Sequence, residues 1–333
     1  VDDVARHLVV QREAGKYVDL FVSAAADDHQ FVGARHFARE SHAAAAHHAT
    51  VDKQRHRVAH RAFAAVKRFD VGPPLQDDQG QYYAYWVDGS QVIDRNHPEA
   101  VLDLQRAYVT SANAVFAQLG DELGGDTLIT YARRLGFGRD EAPPLEIETS
   151  AARLANDLTA LEQNNLLRAV TAIGQGELLA SPLSIALMVS AVVNDGVIPE
   201  PHLLASVRHP SGAVLQDEPQ AKWIEDVMTP KTAEQVRRMM VALVERGSPA
   251  AVPGLTVGGK TGTAEVGDNQ APHAWFAGFA ENEGRTVAIA VIVENGGQGS
   301  SVAAPIFAKV ADAALNQYGE PVEEVVPPPL SPE

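Results

Sequence analysis

Gly258-Gly259-Lys260-Thr261-Gly262-Thr263-Ala264-Glu265 places a lysine, two threonine hydroxyls and three glycines inside one strand pattern over 256–266. Side chains alternate along a strand, so Thr261 and Thr263 share one face, and Lys260 adds a positive charge beside them. Glycine in a strand interior weakens the strand and marks a place where a ligand or another backbone comes close. Such a set suits an anionic group, for instance a carboxylate, laid along a sheet edge. A solvated edge strand with a turn-forming Gly-Gly accounts for the same residues, so this stretch does not decide function by itself.

Two more strands follow at 274–280 and 285–293, joined by short loops, which predicts an antiparallel meander. The last is apolar on both faces, as in a central strand. Upstream, Thr229-Pro230 opens a helix in which Val236, Met239, Met240, Leu243 and Val244 recur at helical spacing until Gly247 stops it. The span 181–194 reads as a helix with Ser181 as N-cap, Pro182 at the first helical position and Gly196 beyond its end. Helices are also expected over 111–119, closed by Gly120, over 127–135, closed before Gly136, and over 303–315. Residues 1–25 read as a hairpin, with arms at 7–11 and 17–23 around Glu13-Ala14-Gly15-Lys16. A hairpin first, helices in the middle and a meander last predict one α+β domain over 1–318, with 1–25 and 255–294 in one sheet. The tail 319–333 holds five prolines and several glutamates and is expected to be disordered.

Composition narrows the function. With 27 Lys and Arg against 43 Asp and Glu, the net charge is −16, which argues against nucleic-acid binding. The absence of Cys excludes disulfides, thiolate catalysis and Cys-ligated metal sites. No apolar run is long enough to span a bilayer. Val1 opens the chain without a signal-like segment, as expected of a fragment. The zone 26–70 is anomalous, rich in Ala, Arg and His and poorly periodic apart from a helix pattern near 57–68. Eight of the 12 histidines are His7, His29, His36, His42, His47, His48, His56 and His60. His56 and His60 lie one helical turn apart, but no H-E-x-x-H occurs, and no metal or other cofactor is expected.

Ser111-Ala112-Asn113 at a predicted helix start means little alone, because serine caps helices anyway. Paired with Lys260-Thr261-Gly262-Thr263 downstream it becomes informative. Over 71–315 the sequence resembles the transpeptidase domain of class B penicillin-binding proteins, within the penicillin-recognising serine acyl-transferases. Three further segments carry the resemblance: the Gly174-Gln175-Gly176 stretch running into Ser181-Pro182-Leu183, Ala274-Trp275-Phe276-Ala277-Gly278-Phe279-Ala280, and Ala304-Pro305-Ile306-Phe307.

The resemblance implies a mostly antiparallel sheet flanked by helices, with a helical subdomain carrying Ser111. It also implies acyl transfer on peptidoglycan stem peptides ending in D-Ala-D-Ala, and binding of β-lactams. Ser111 would relay a proton, Asn113 would orient the substrate amide, and Lys260 would hold Ser111 and set the electrostatics. Thr261 and Thr263 would bind the terminal carboxylate of a peptide added along the strand, with the Thr263 N–H as an oxyanion donor and Gly262 free of a Cβ. The implied setting is the extracytoplasmic cell envelope, with a membrane anchor N-terminal to this chain. Other cell-wall synthesis or cell-division proteins are the implied partners.

One departure is decisive. The family's nucleophile lies in Ser-x-x-Lys, and none of the seven lysines has a serine three positions before it. The one hydroxyl there is Thr50, ahead of Lys53. Threonine can serve as a nucleophile beside a base, but its methyl crowds the hydroxyl and Asp52 is an odd neighbour at such a helix start. The gap falls inside 26–70. A locally shifted reading frame in a GC-rich gene produces such a stretch, and so does divergence in a pseudoenzyme. The expectation is therefore a D,D-transpeptidase domain impaired as written. The alternative is a non-catalytic peptide-recognition or scaffold module. A serine β-lactamase shares the motifs, but the Gly-Gln-Gly segment and the acidic, proline-rich tail argue against it.

Overall fold

Residues 286–293 carry no charged side chain, the pattern of a strand covered on both faces. The computed structural model describes residues 17–23 and 68–317, apart from positions 205, 210, 212, 218–220, 268 and 269. In it the apolar run becomes a strand, Arg285–Val293, fully buried from Val287 to Val291. In chain order the strands are β1 Tyr17–Ser23, β2 Arg68–Asp70, β3 Leu75–Asp77, β4 Gly80–Val87, β5 Ser90–Asp94, β6 Val101–Asp103, β7 Ile198–Pro199, β8 Ser206–Arg208, β9 Val214–Asp217, β10 Lys222–Ile224, β11 Thr256–Ala264, β12 His273–Asn282 and β13 Arg285–Val293. The helices are α1 Leu104–Thr110, α2 Asn113–Leu123, α3 Gly125–Arg134, α4 Ala160–Gln163, α5 Asn165–Ala172, α6 Pro182–Val193, α7 Pro230–Glu245 and α8 Ala303–Asp312, the last followed by a π-helical turn at Ala313–Gln317.

The described residues form two compact units, one from 17–23, 140–151 and 181–317, the other from 68–139 and 152–180. The first is built on a four-stranded sheet of order β1-β13-β12-β11. The predicted meander is present: β11 pairs antiparallel with β12, and β12 with β13. β1 joins parallel to β13, from Tyr17 opposite Arg285 to Ser23 opposite Val291, so chain segments far apart in sequence share one sheet. The other hairpin arm, the helix pattern at 57–67 and the tail lie outside the described residues. Arg68, expected at the end of that helix, opens β2 instead.

Helices cover both faces of this sheet. Phe276 packs against Phe307 of α8 with ring centroids 4.7 Å apart and the rings tilted by 57°. Phe279, three residues on and so on the opposite pleat, lies under the guanidinium of Arg237 in α7 at 5.4 Å. Arg237 also pairs with Glu281. α6 begins as predicted, with Ser181 Oγ accepting the Ser184 N–H at 3.1 Å and Pro182 in the first turn. α7 is capped by Thr229 and buries Met239, Met240, Leu243 and Val244.

The second unit holds the small sheets β2-β6 and β3-β4-β5 with α1 to α5. Its core includes Phe69, Leu102, Ala107, Ala112 and Val115. Arg168 is buried here, donating to Asp121 at 2.6 Å and to the Leu161 carbonyl at 2.9 Å. Tyr85 also donates to Asp121, at 2.8 Å, and loss of hydration together with that carboxylate pushes the phenol up to about 12.

The helix expected over 111–119 differs. It runs as α2 from Asn113 to Leu123 and passes through Gly120. Gly120 is a packing residue: a Cβ there would lie 2.2 Å from the Ala172 Cβ, so its absence lets α2 and α5 approach. The residue that ends the helix is Gly124, with φ +78°.

Candidate active site

The Lys260–Thr263 segment lies on β11, an edge strand, which has a strand neighbour on one side only among the described residues. Its register sets Lys260 opposite Ala277, Thr261 opposite Phe276, Gly262 opposite Trp275 and Thr263 opposite Ala274. An edge strand offers backbone donors and acceptors to an added extended chain. Lys260 is partly buried, and its Nζ donates to the Thr261 carbonyl at 2.9 Å. Burial draws its pKa down to about 8, because the low-dielectric surroundings disfavour the charged ammonium.

The glycines beside it divide into two kinds. A Cβ on Gly258 would lie 2.5 Å from the Phe279 ring, and one on Gly259 would lie 2.4 Å from the Phe276 ring. The close neighbours at these two positions are aromatic rings of the sheet's own core, where the sequence reading had a ligand in view. Gly262 differs, since its Cβ would meet only the Trp275 side chain, at 3.0 Å. The loop before α8 also crosses here, where Gly299 fits only without a Cβ, which would sit 2.4 Å from the Gly262 carbonyl oxygen.

Ser111 and Asn113 belong to the other unit. Asp103 caps α1 by accepting the Arg106 N–H at 2.7 Å. The helix closes at Ser111, with the Ser111 N–H on the Tyr108 carbonyl at 3.1 Å and the Ala112 N–H on the Ala107 carbonyl at 2.9 Å. That pairing is a Schellman motif, and Ser111 occupies its left-handed position at φ 58°, ψ 46°. Ser111 thus ends one helix, whereas the sequence predicts that it opens the next. The cause is local: Ala112 turns its methyl into the core, fully buried, which leaves 111 and 113 half-buried on either side of it. Asn113 starts α2.

Two residues that sequence reasoning passed over lie at the start of α2. Asp94, at the end of β5, accepts the Ala114 N–H on Oδ2 at 3.1 Å, and the same oxygen lies 3.0 Å from His97 Nδ1. Thr50, Lys53 and the histidines from His29 to His60 lie outside the described residues. Among the described residues no group of three His, Asp or Glu side chains is placed to hold a metal ion, and no helix is long and apolar enough to cross a membrane.

Comparison with known proteins agrees with the motifs. The sequence profile of the penicillin binding protein transpeptidase domain matches residues 75–312. The chain is 34% identical over 233 residues to the peptidoglycan D,D-transpeptidase PbpA of Mycobacterium tuberculosis, covering 67% of this chain and 45% of that protein. It is 31% identical to the peptidoglycan D,D-transpeptidase MrdA of Haemophilus influenzae, covering 67% of this chain and 38% of that one. The chain thus spans less than half the length of these relatives. Among solved structures, penicillin-binding protein A from M. tuberculosis as a ceftriaxone acyl-enzyme complex matches with TM-score 0.62 and 28% identity, over 78% of this chain and 58% of that one. The D,D-transpeptidase domain of a peptidoglycan glycosyltransferase from Eggerthella lenta matches with TM-score 0.65 and 26% identity, over 79% and 63%.

Proposed function

The chain belongs to the penicillin-binding protein transpeptidase family, and from that premise we propose that it binds D-Ala-D-Ala-terminated stem peptides with the substrate half of a D,D-transpeptidase site. The observation that carries the reading is Lys260-Thr261-Gly262-Thr263 on an edge strand. The peptide adds along β11, its terminal carboxylate on Thr261 and Thr263, with the scissile carbonyl oxygen toward the Thr263 N–H. In the family reaction a hydroxyl attacks the penultimate carbonyl, the peptide C–N bond breaks, and D-Ala leaves with a proton. An amine of a second stem peptide then takes the acyl group and returns the hydroxyl. Ser111 relays the leaving-group proton and Asn113 orients the amide. Lys260, drawn down to about 8, exchanges a proton near neutral pH far more readily than an ordinary lysine.

None of these residues is the attacking group, and the sequence holds no Ser-x-x-Lys. We therefore read the chain as written as a poor or dead catalyst that keeps its binding half. Thr50 with Lys53 is the one rescue on offer. A peptide-recognition or scaffold role in the cell envelope, among wall-synthesis or division proteins, is the second reading, favoured by the same missing nucleophile. Binding is tested by titrating a D-Ala-D-Ala tripeptide against its L-Ala-L-Ala isomer. Lys260→Ala should weaken the first by about tenfold or more, the scale of a lost charge-assisted contact. Equal affinity for both isomers, or none lost in the variant, would remove the strand from the site.

A further inference from the structure

We propose that Asp94 and His97 are positioning residues for the Ser111–Asn113 segment, a buried carboxylate–imidazole pair that caps the helix carrying Asn113 from outside it. The inference rests on reading Ser111 and Asn113 as site residues. A helix start leaves backbone N–H groups without partners, and a side-chain oxygen at the capping position ordinarily takes one of them. At α2 that position is Ala112, which has no such oxygen and is fully buried in the core. The task passes to Asp94, twenty residues upstream, whose Oδ2 accepts the Ala114 N–H at 3.1 Å. A carboxylate there also meets the positive end of the helix dipole.

The carboxylate is itself held rigidly. Both side chains are fully buried, Oδ1 accepts the Asn96 N–H at 2.9 Å, and Oδ2 faces His97 Nδ1 at 3.0 Å. Where the carboxylate oxygen is the acceptor of this contact, Nδ1 is its donor. The imidazole packs against Tyr83 of β4 with ring centroids 4.8 Å apart. Among the described residues its Nε2 is buried with no hydrogen-bond partner, so there the ring is held by one polar bond and by packing. A buried carboxylate with three such contacts fixes geometry because any displacement leaves a buried acceptor without its donors.

What it fixes is a strained turn. Ser111 sits in the left-handed region that L residues avoid, and such a conformation persists only where its surroundings over-determine it. The closing bonds of α1 hold one side of Ser111, and Asp94 holds the other through the first turn of α2. Ser111 and Asn113 are thereby held in one geometry, on either side of the buried Ala112.

The test compares Asp94→Asn, Asp94→Ala and a control, Leu161→Ala, which empties a fully buried site of the same unit. Amide exchange at Ala114 in the full chain should quicken by about tenfold or more in the Asp94 variants, beyond the general loosening in Leu161→Ala. Should the alanine variant not fold, Asp94→Asn keeps the side-chain shape and carries the measurement. Unchanged local exchange at Ala114 in Asp94→Asn overturns the proposal. Binding of the D-Ala-D-Ala tripeptide gives a second arm. Asp94→Asn should weaken it, and weaken it no further once Asn113→Ala is present, whereas Leu161→Ala should add independently. Additive losses from Asp94 and Asn113 contradict positioning. An Asn113→Ala variant that binds normally sinks the site reading instead, and the cap then stands or falls on the exchange result.

Discussion

Gly278 of β12, the register partner of Gly259, comes so close to β11 that a Cβ on it would lie 2.3 Å from the Gly258 carbonyl oxygen. Backbone cannot swing aside as a side chain can, so Gly278→Ala must push the two strands apart. The expected loss is about 3 kcal/mol, at the upper end of overpacking costs. Gly262→Ala meets only Trp275 and should cost less than about 1 kcal/mol while weakening tripeptide binding. Urea unfolding and peptide titration on the two variants separate packing from binding. Equal stability losses would contradict the division.

Ser111 is expected to trade stability for its place in the site. Ser111→Gly and Ser111→Ala both lose the hydroxyl, but only glycine relaxes at φ 58°. The glycine variant should therefore be more stable than the alanine variant by about 1 kcal/mol. Equal melting temperatures would mean that the turn carries no strain.

Lys260 gives a pH dependence with a definite sign. Its folded pKa of about 8 lies below the ordinary 10.5, so between those values the unfolded chain holds a proton that the folded chain has released. Stability then rises with pH across that window. Lys260→Met lacks this titration, so its stability relative to the parent should be greatest near pH 7 and shrink between pH 8 and 10.5. A gap constant with pH would contradict the burial of the ammonium.

Much of the fold is legible because punctuation and period act locally. Ser181-Pro182 and Thr229-Pro230 mark helix starts through residues that can do little else there, and 287–293 is apolar throughout. Ser111 misleads because a serine before a helix ordinarily caps it, whereas here the preceding helix closes on it through bonds to Ala107 and Tyr108. Gly258 and Gly259 mislead because their reason is the rings of Phe279 and Phe276, distant in sequence on the neighbouring strand. Asp94 stays silent because its partner is a backbone N–H, which has no sequence signature. The strands β2, β3 and β6 have three residues each, too few for alternation to register.

The composition of 26–70 makes a prediction about the gene. Translating the other two frames across these codons should yield a Ser-x-x-Lys if a local frame shift produced the stretch. If neither frame contains one, divergence in a pseudoenzyme becomes the better account.

The central claim, that the chain keeps the binding half of a transpeptidase site without a working nucleophile, is tested most directly by intact mass after incubation with penicillin G. Acyl transfer needs a hydroxyl activated by an adjacent base, and the account predicts an unchanged mass in a protein that still binds the D-Ala-D-Ala tripeptide. A covalent adduct of one penicillin per chain would contradict it, and loss of that adduct in Thr50→Ala would make Thr50 the nucleophile.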